Sequence, residues 1–115
     1  MEIIRENGID EVMLSFRMKV SLKKFDAIKN FLDENFIYEI NPKKTFVIVM
    51  IDMEYLTTPD SIKTLLKDYK LKLKNVDIFI GITSSYDMGG LTVPQSVSNI
   101  IREINCDLHF SFVSV

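Results

Sequence analysis

The stretch Gly90-Leu91-Thr92-Val93-Pro94-Gln95-Ser96-Val97-Ser98-Asn99-Ile100-Ile101-Arg102-Glu103-Ile104-Asn105-Cys106-Asp107-Leu108-His109-Phe110-Ser111-Phe112 reads as one helix feeding one strand. Val93, Val97, Ile100, Ile101 and Ile104 recur at three- and four-residue spacing, which puts them on one face of a helix. Thr92 precedes that run as the expected N-cap. Pro94 falls in the first turn, where a missing N–H costs nothing. Asn105 suits a left-handed stop. Leu108, Phe110 and Phe112 then alternate with His109, Ser111 and Val113, the pattern of a strand with one apolar face.

Working upstream, Val76 to Thr83 is a second strand, apolar at Val76, Ile78, Ile80 and Ile82. Before it, Thr58-Pro59-Asp60 has the cap, first-turn proline and early carboxylate of a helix start. Ile62, Leu65, Leu66 and Tyr69 follow on one face. Phe46 to Ile51 is apolar on both faces, as a strand flanked by two neighbours would be. Phe36 to Ile40 and Thr45 to Met53, joined by Asn41-Pro42-Lys43-Lys44, form a predicted hairpin. Ser21 caps a helix carrying Leu22, Phe25, Ile28 and Leu32 and running to about Asn35. Val12, Leu14, Phe16, Met18 and Val20 alternate with polar residues in a first strand. Residues 1–11 read as a tail or weak edge element.

The predicted order is β-α-β-β-α-β-α-β. Its first six elements have the ferredoxin-like split pattern β-α-β-β-α-β, with an added α-β unit. The expected fold class is α+β, with helices on one face of a mainly antiparallel sheet. Without the hairpin, the same elements would give a βα-repeating, more parallel sheet. The 115 residues suggest a single domain with one real core. A 47% apolar and 26% charged composition argues against disorder. A net charge of −2 gives no global pull toward nucleic acid or anionic lipid. The lone cysteine, Cys106, forms no intrachain disulfide. The longest apolar run, Phe46 to Ile51, is far too short to span a membrane. Glu2 and Glu6 interrupt the N-terminus, so no signal peptide is expected. A cytoplasmic protein follows by default.

Catalytic and metal motifs are sparse. Cys106 and His109 have a Cys-x-x-His spacing, but no other cysteine or histidine exists to complete a zinc site. A Cys–His nucleophilic pair lacks an orienting third group. Gly81, Gly89 and Gly90 make no phosphate-loop pattern. Neither a cofactor nor enzymatic activity is expected.

The layout of charge is more informative. Two strands joined by one helix must end on the same side of the molecule, which gathers Asp52, Glu54, Tyr55, Tyr86 and Asp87. The hairpin would bring Asp33 and Glu34 to that end as well. Lys19, Lys23, Lys24, Lys43, Lys44, Lys70, Lys72 and Lys74 collect at the other. An acidic, tyrosine-bearing end suits docking of a basic protein, because complementary charge speeds association and tyrosine is enriched at binding hot spots. The basic end has little arginine and no clear stacking aromatics, which disfavours nucleic acid as its partner.

Ile78 to Ile82, Gly90-Leu91, Pro94, Ile100-Ile101 and Asp107 to Phe112 resemble the C-terminal half of small α+β immunity proteins of bacterial polymorphic toxin and contact-dependent growth inhibition systems. In that pattern a Gly-Leu loop leads to a helix starting near Ser/Thr-Pro and then to a strand alternating with aromatics. Asn105 stands where the pattern often has glycine, and the tyrosine at the end of the final strand is missing. The resemblance implies an immunity protein that neutralises a cognate toxin domain, such as a nuclease, by non-covalent occlusion. It transfers no binding residue. The acidic end supplies the expected partner-binding set: Asp33, Glu34, Asp52, Glu54, Tyr55, Tyr86 and Asp87. The expected partner is a basic protein toxin, with no nucleic acid or membrane involved, and the free chain is expected to be a monomer or weak dimer. The alternative is a ligand-sensing or oligomerising regulatory domain without catalytic activity.

Overall fold

The computed structural model describes residues 4–5, 11–32, 36–53, 59–84 and 91–114. In chain order the elements are β1 (Ile4–Arg5), β2 (Glu11–Ser21), α1 (Leu22–Leu32), β3 (Phe36–Ile40), β4 (Phe46–Asp52), α2 (Pro59–Asp68), β5 (Val76–Ser84), β6 (Leu91–Thr92), α3 (Gln95–Ile104) and β7 (Asp107–Ser114). A short 3-10 turn, Leu73–Asn75, precedes β5. The chain is therefore α+β. Its main sheet has five strands in the order β3-β4-β2-β5-β7. The β3–β4, β4–β2 and β2–β5 pairs are antiparallel, while β5–β7 is parallel. The sheet is mixed and mainly antiparallel.

The alternation read from the sequence sets the register. Phe16, Met18 and Val20 of β2 are buried, as are Val47, Val49 and Ile51 of β4 and Val76 and Ile78 of β5. They form one core cluster with Phe25 and Ile28 of α1, Ile62 and Leu65 of α2, and Val97, Ile100 and Ile104 of α3. A one-residue slip of any of these strands would turn its buried set to the opposite face. That requirement fixes the pairing more firmly than backbone hydrogen bonds alone. Between α2 and α3, Lys63 pairs with Glu103 at 3.1 Å, an exposed contact worth about 1 kcal/mol or less.

The expected hairpin is present, and its turn explains why Asn41 is there. The Asn41 carboxamide oxygen accepts from the backbone N–H of Thr45 (2.7 Å) and Phe46 (2.8 Å), and its Nδ2 donates to the Thr45 hydroxyl at 2.9 Å. The asparagine thus takes over donors that the turn would otherwise leave unpaired. Ser21 caps α1 as expected, accepting from the Lys24 N–H at 3.2 Å. Asn105 ends α3 with a φ of 60°.

One expectation shifts at its boundary. Thr92 is not the cap of α3. It lies in β6, opposite Ile4 of β1, and that pairing keeps its backbone extended. The cap position falls to Pro94, whose carbonyl accepts from Val97 N–H at 3.0 Å and which has no side-chain acceptor to offer. Residues 4–5 provide the weak edge element. The first helix ends at Leu32 among the described residues, and Thr58, the expected cap of α2, lies outside them.

Candidate functional site

β4 and β5 both run antiparallel to β2, so both end beside the N-terminal half of β2. Asp52 stands opposite Ser15, and Thr83 opposite Glu11. Phe36 stands opposite Ile51, so the chain also enters β3 at that end. Asp52 and Glu11 are both exposed there. Asp52 is the one residue of the expected partner-binding set that the structure describes. Asp33, Glu34, Glu54, Tyr55, Tyr86 and Asp87 lie outside the described residues.

Beside this end runs a surface whose exposure sequence periodicity does not report. Leu108, Phe110 and Phe112 alternate as a buried face would, and they stand opposite Ile78, Ile80 and Ile82 of β5. They are nevertheless 40%, 55% and 49% exposed. β7 is the last strand of the sheet, so its apolar row projects past the core. Among the described residues β7 pairs with β5 alone. Natural edge strands usually carry lysine, proline or a bulge to block further pairing. β7, by contrast, has Asp107 as its only formal charge. Its C-terminal part, Phe112 and Val113, lies alongside Ile82 and Thr83, so the apolar row leads to the end that carries Glu11 and Asp52.

The other face of the sheet holds a second constellation. Arg17 of β2 donates from Nε to Asp77 Oδ1 of β5 at 2.8 Å and from Nη2 to Oδ2, a two-pronged bond. Hydrogen bonding to Asp77 holds the guanidinium still more firmly protonated. The guanidinium carbon lies 4.4 Å from the centre of the Phe79 ring, and the His109 ring stacks on Phe79 at 5.5 Å. Arginine, phenylalanine and histidine thus tie β2, β5 and β7 together side by side. Gly81 leaves room for this arrangement, since a β-carbon there would sit 3.0 Å from Phe79 Cε1. Nothing in local spacing signals the cluster, because it depends on the register of β5 between two strands distant in sequence.

The Cys-x-x-His spacing does not form a site. Cys106 belongs to the core, whereas His109 lies on Phe79 of the opposite face. Burial pushes the Cys106 thiol above its ordinary range, and nearby Asp77 and Asp107 add to that. The nucleophilic thiolate is correspondingly scarce at neutral pH. Alkylation of the native protein by iodoacetamide should therefore be much slower than that of the urea-unfolded chain, and should accelerate only toward high pH. Equal rates for the two states would contradict this placement of Cys106. Among the described residues no group of three or more His, Cys, Asp or Glu is placed to hold a metal ion. Among the described residues no helix is long and apolar enough to cross a membrane.

No family model, curated protein or solved structure matches this chain at a significant level.

Proposed function

We propose that this chain is an immunity protein that binds a cognate toxin domain and blocks it by occupying its surface, without chemistry of its own. The observation that carries the reading is the exposed apolar row of β7 leading to the acidic end of the sheet. Proteins that act alone seldom expose contiguous large apolar groups at a sheet edge. In this reading Phe110 and Phe112 are the anchors, and the open edge of β7 offers its main chain to an extended segment of the partner. Asp52 and Glu11, with Asp33, Glu34, Glu54, Tyr55, Tyr86 and Asp87, attract a basic toxin and orient it. A cytoplasmic setting accompanies the proposal.

The strand order also supports the finer fold reading. Within β3-β4-β2-β5, α1 connects β2 to β3 and α2 connects β4 to β5, the connectivity of a ferredoxin-like split unit. The α3–β7 unit then extends it by a parallel strand. The joining of all three helices into one core supports their placement on one face.

The test begins with the tagged protein as bait in its native lysate, washed at low and then high salt. The captured protein is then produced separately, and its toxic activity is titrated with this chain. The expected result is a single basic protein silenced at one-to-one stoichiometry. Reversing charge at Asp52, Glu54 and Asp87 together should slow association by about tenfold at low salt and little at high salt. Unchanged kinetics at low salt would remove the acidic end from the interface. A stable dimer carrying a small molecule, with no toxin captured, would favour the second reading, a ligand-sensing or oligomerising regulatory domain. The specific observation on its side is a lysine-lined cavity at the opposite end of β2.

A further inference from the structure

That cavity has a volume of about 240 Å³ and lies where the C-terminal end of β2 turns into α1, against the segment joining α2 to β5. Lys19, Lys24, Lys70, Lys72 and Lys74 all line it, and among the described residues no carboxylate does. A chain of net charge −2 with 14 basic residues thus concentrates five of them on one hollow. Among the described residues none of the five is paired with Asp or Glu, whereas Arg17, Lys29 and Lys63 each are. All five are exposed, and cations gathered around an open hollow focus a positive potential into it.

Two further features fix Lys24 and the backbone of Lys70 at this hollow, while the Lys19 ammonium lies 4.3 Å from the centre of the Phe46 ring. The Lys24 ammonium donates to the Lys70 carbonyl at 3.2 Å, so one lysine is anchored on the backbone of another. Lys70 itself occupies the left-handed position that closes α2, with a φ of 52°. The Leu71 N–H returns to the Leu66 carbonyl at 2.9 Å, and the Lys70 N–H to that of Lys67 at 3.3 Å, the hydrogen-bond pattern that normally places glycine at this position. Lysine there is strained where glycine would not be. Ser21, which caps α1, and Lys24 in its first turn complete the wall.

We propose that this cavity binds the phosphate groups of a small polyphosphate-bearing molecule. The volume suits two linked phosphates, and clustered ammonium groups are usual partners of such oxyanions. Among the described residues the lining has no aromatic side chain on which a base could stack, which favours a compact polyphosphate over a nucleic-acid strand. A neighbouring hollow of about 250 Å³ shares Lys19, Lys74 and Asn75 and includes Asp77 and Asp107. It offers room for the remainder of the ligand.

Inorganic pyrophosphate is the probe. Titration calorimetry and thermal melting of the full chain at low ionic strength should show saturable one-to-one binding and a matching rise in melting temperature. Lys24→Gln and Lys72→Gln should each weaken binding by about tenfold, the usual loss for one charged hydrogen bond. Lys63→Gln, remote from the cavity, should leave it unchanged. Lys70→Gly is the decisive variant, since it should raise the melting temperature of the free protein while weakening pyrophosphate binding. A melting shift reproduced by sodium chloride at equal ionic strength would overturn the proposal, as would equal losses in the Lys63 variant. Tighter binding of a mixed-sequence single-stranded oligonucleotide, at equal phosphate concentration, would overturn it in favour of a nucleic-acid backbone.

Discussion

Replacing Phe16 with alanine is expected to destabilise the protein by about 3–5 kcal/mol, the range for deleting a fully buried aromatic ring. Phe16 has no exposed surface and lies near the middle of β2, the central strand of the sheet, opposite Ile51 on one side and Ile78 on the other. Its ring is part of the core shared by the strands and all three helices. Removing it leaves a void that rigid neighbours on two sides cannot collapse into. A domain of this size has roughly 5–15 kcal/mol of total stability, so the variant should retain only part of its fold margin. Thermal unfolding should move down by roughly 15–25 °C. A loss below about 1 kcal/mol would mean that β2 is not the centre of the sheet.

Phe110→Lys should do the reverse, sparing stability and destroying association with the proposed partner. The ring is 55% exposed, so its loss should change unfolding free energy by about 0.5 kcal/mol or less. In the proposed complex it is a central anchor, and truncation of such anchors costs about 2 kcal/mol or more. Adding a cation against a basic partner deepens that loss, so affinity should fall by at least about thirtyfold. Ile37→Lys is the matched control: it places the same charge at an equally exposed position on β3, the opposite edge of the sheet. Equal loss in both variants would indicate a general effect of surface charge. Unchanged affinity in Phe110→Lys would remove β7 from the interface.

The architecture was legible because each segment declares its own period. Phe16, Met18 and Val20 alternate, while Val97, Ile100 and Ile104 recur at helical spacing, and both sets are buried. Asn41, Ser21 and Asn105 act through local hydrogen bonds or backbone conformation, which sequence spacing reports directly. The alternation of Leu108, Phe110 and Phe112 marks a strand with one apolar face, and the exposure of that face is not legible in it. Period-two patterning shows which residues share a side, not whether anything packs over it. The Arg17–Asp77 pair and the Phe79–His109 stack were invisible for a related reason, since they exist only once β2, β5 and β7 are set side by side. The lysine cavity was half legible: the sequence put the cations at one end, and the fold of the α2–β5 connection turned that end into a hollow. Of the acidic set, Asp52 stands at the expected end of the sheet, and the others lie outside the described residues.

Both outer strands of this sheet are apolar on exposed positions: Ile37, Tyr38 and Ile40 on β3, and Leu108, Phe110 and Phe112 on β7. Symmetry gives these two borders different fates. Pairing of β7 with its own copy closes after two molecules, whereas pairing of β7 with β3 of the next molecule repeats without limit and builds a ribbon. A guest strand seated on β7 ends both series at once. In the proposed complex, a partner strand on β7 is thus also a terminator that keeps this chain from polymerising.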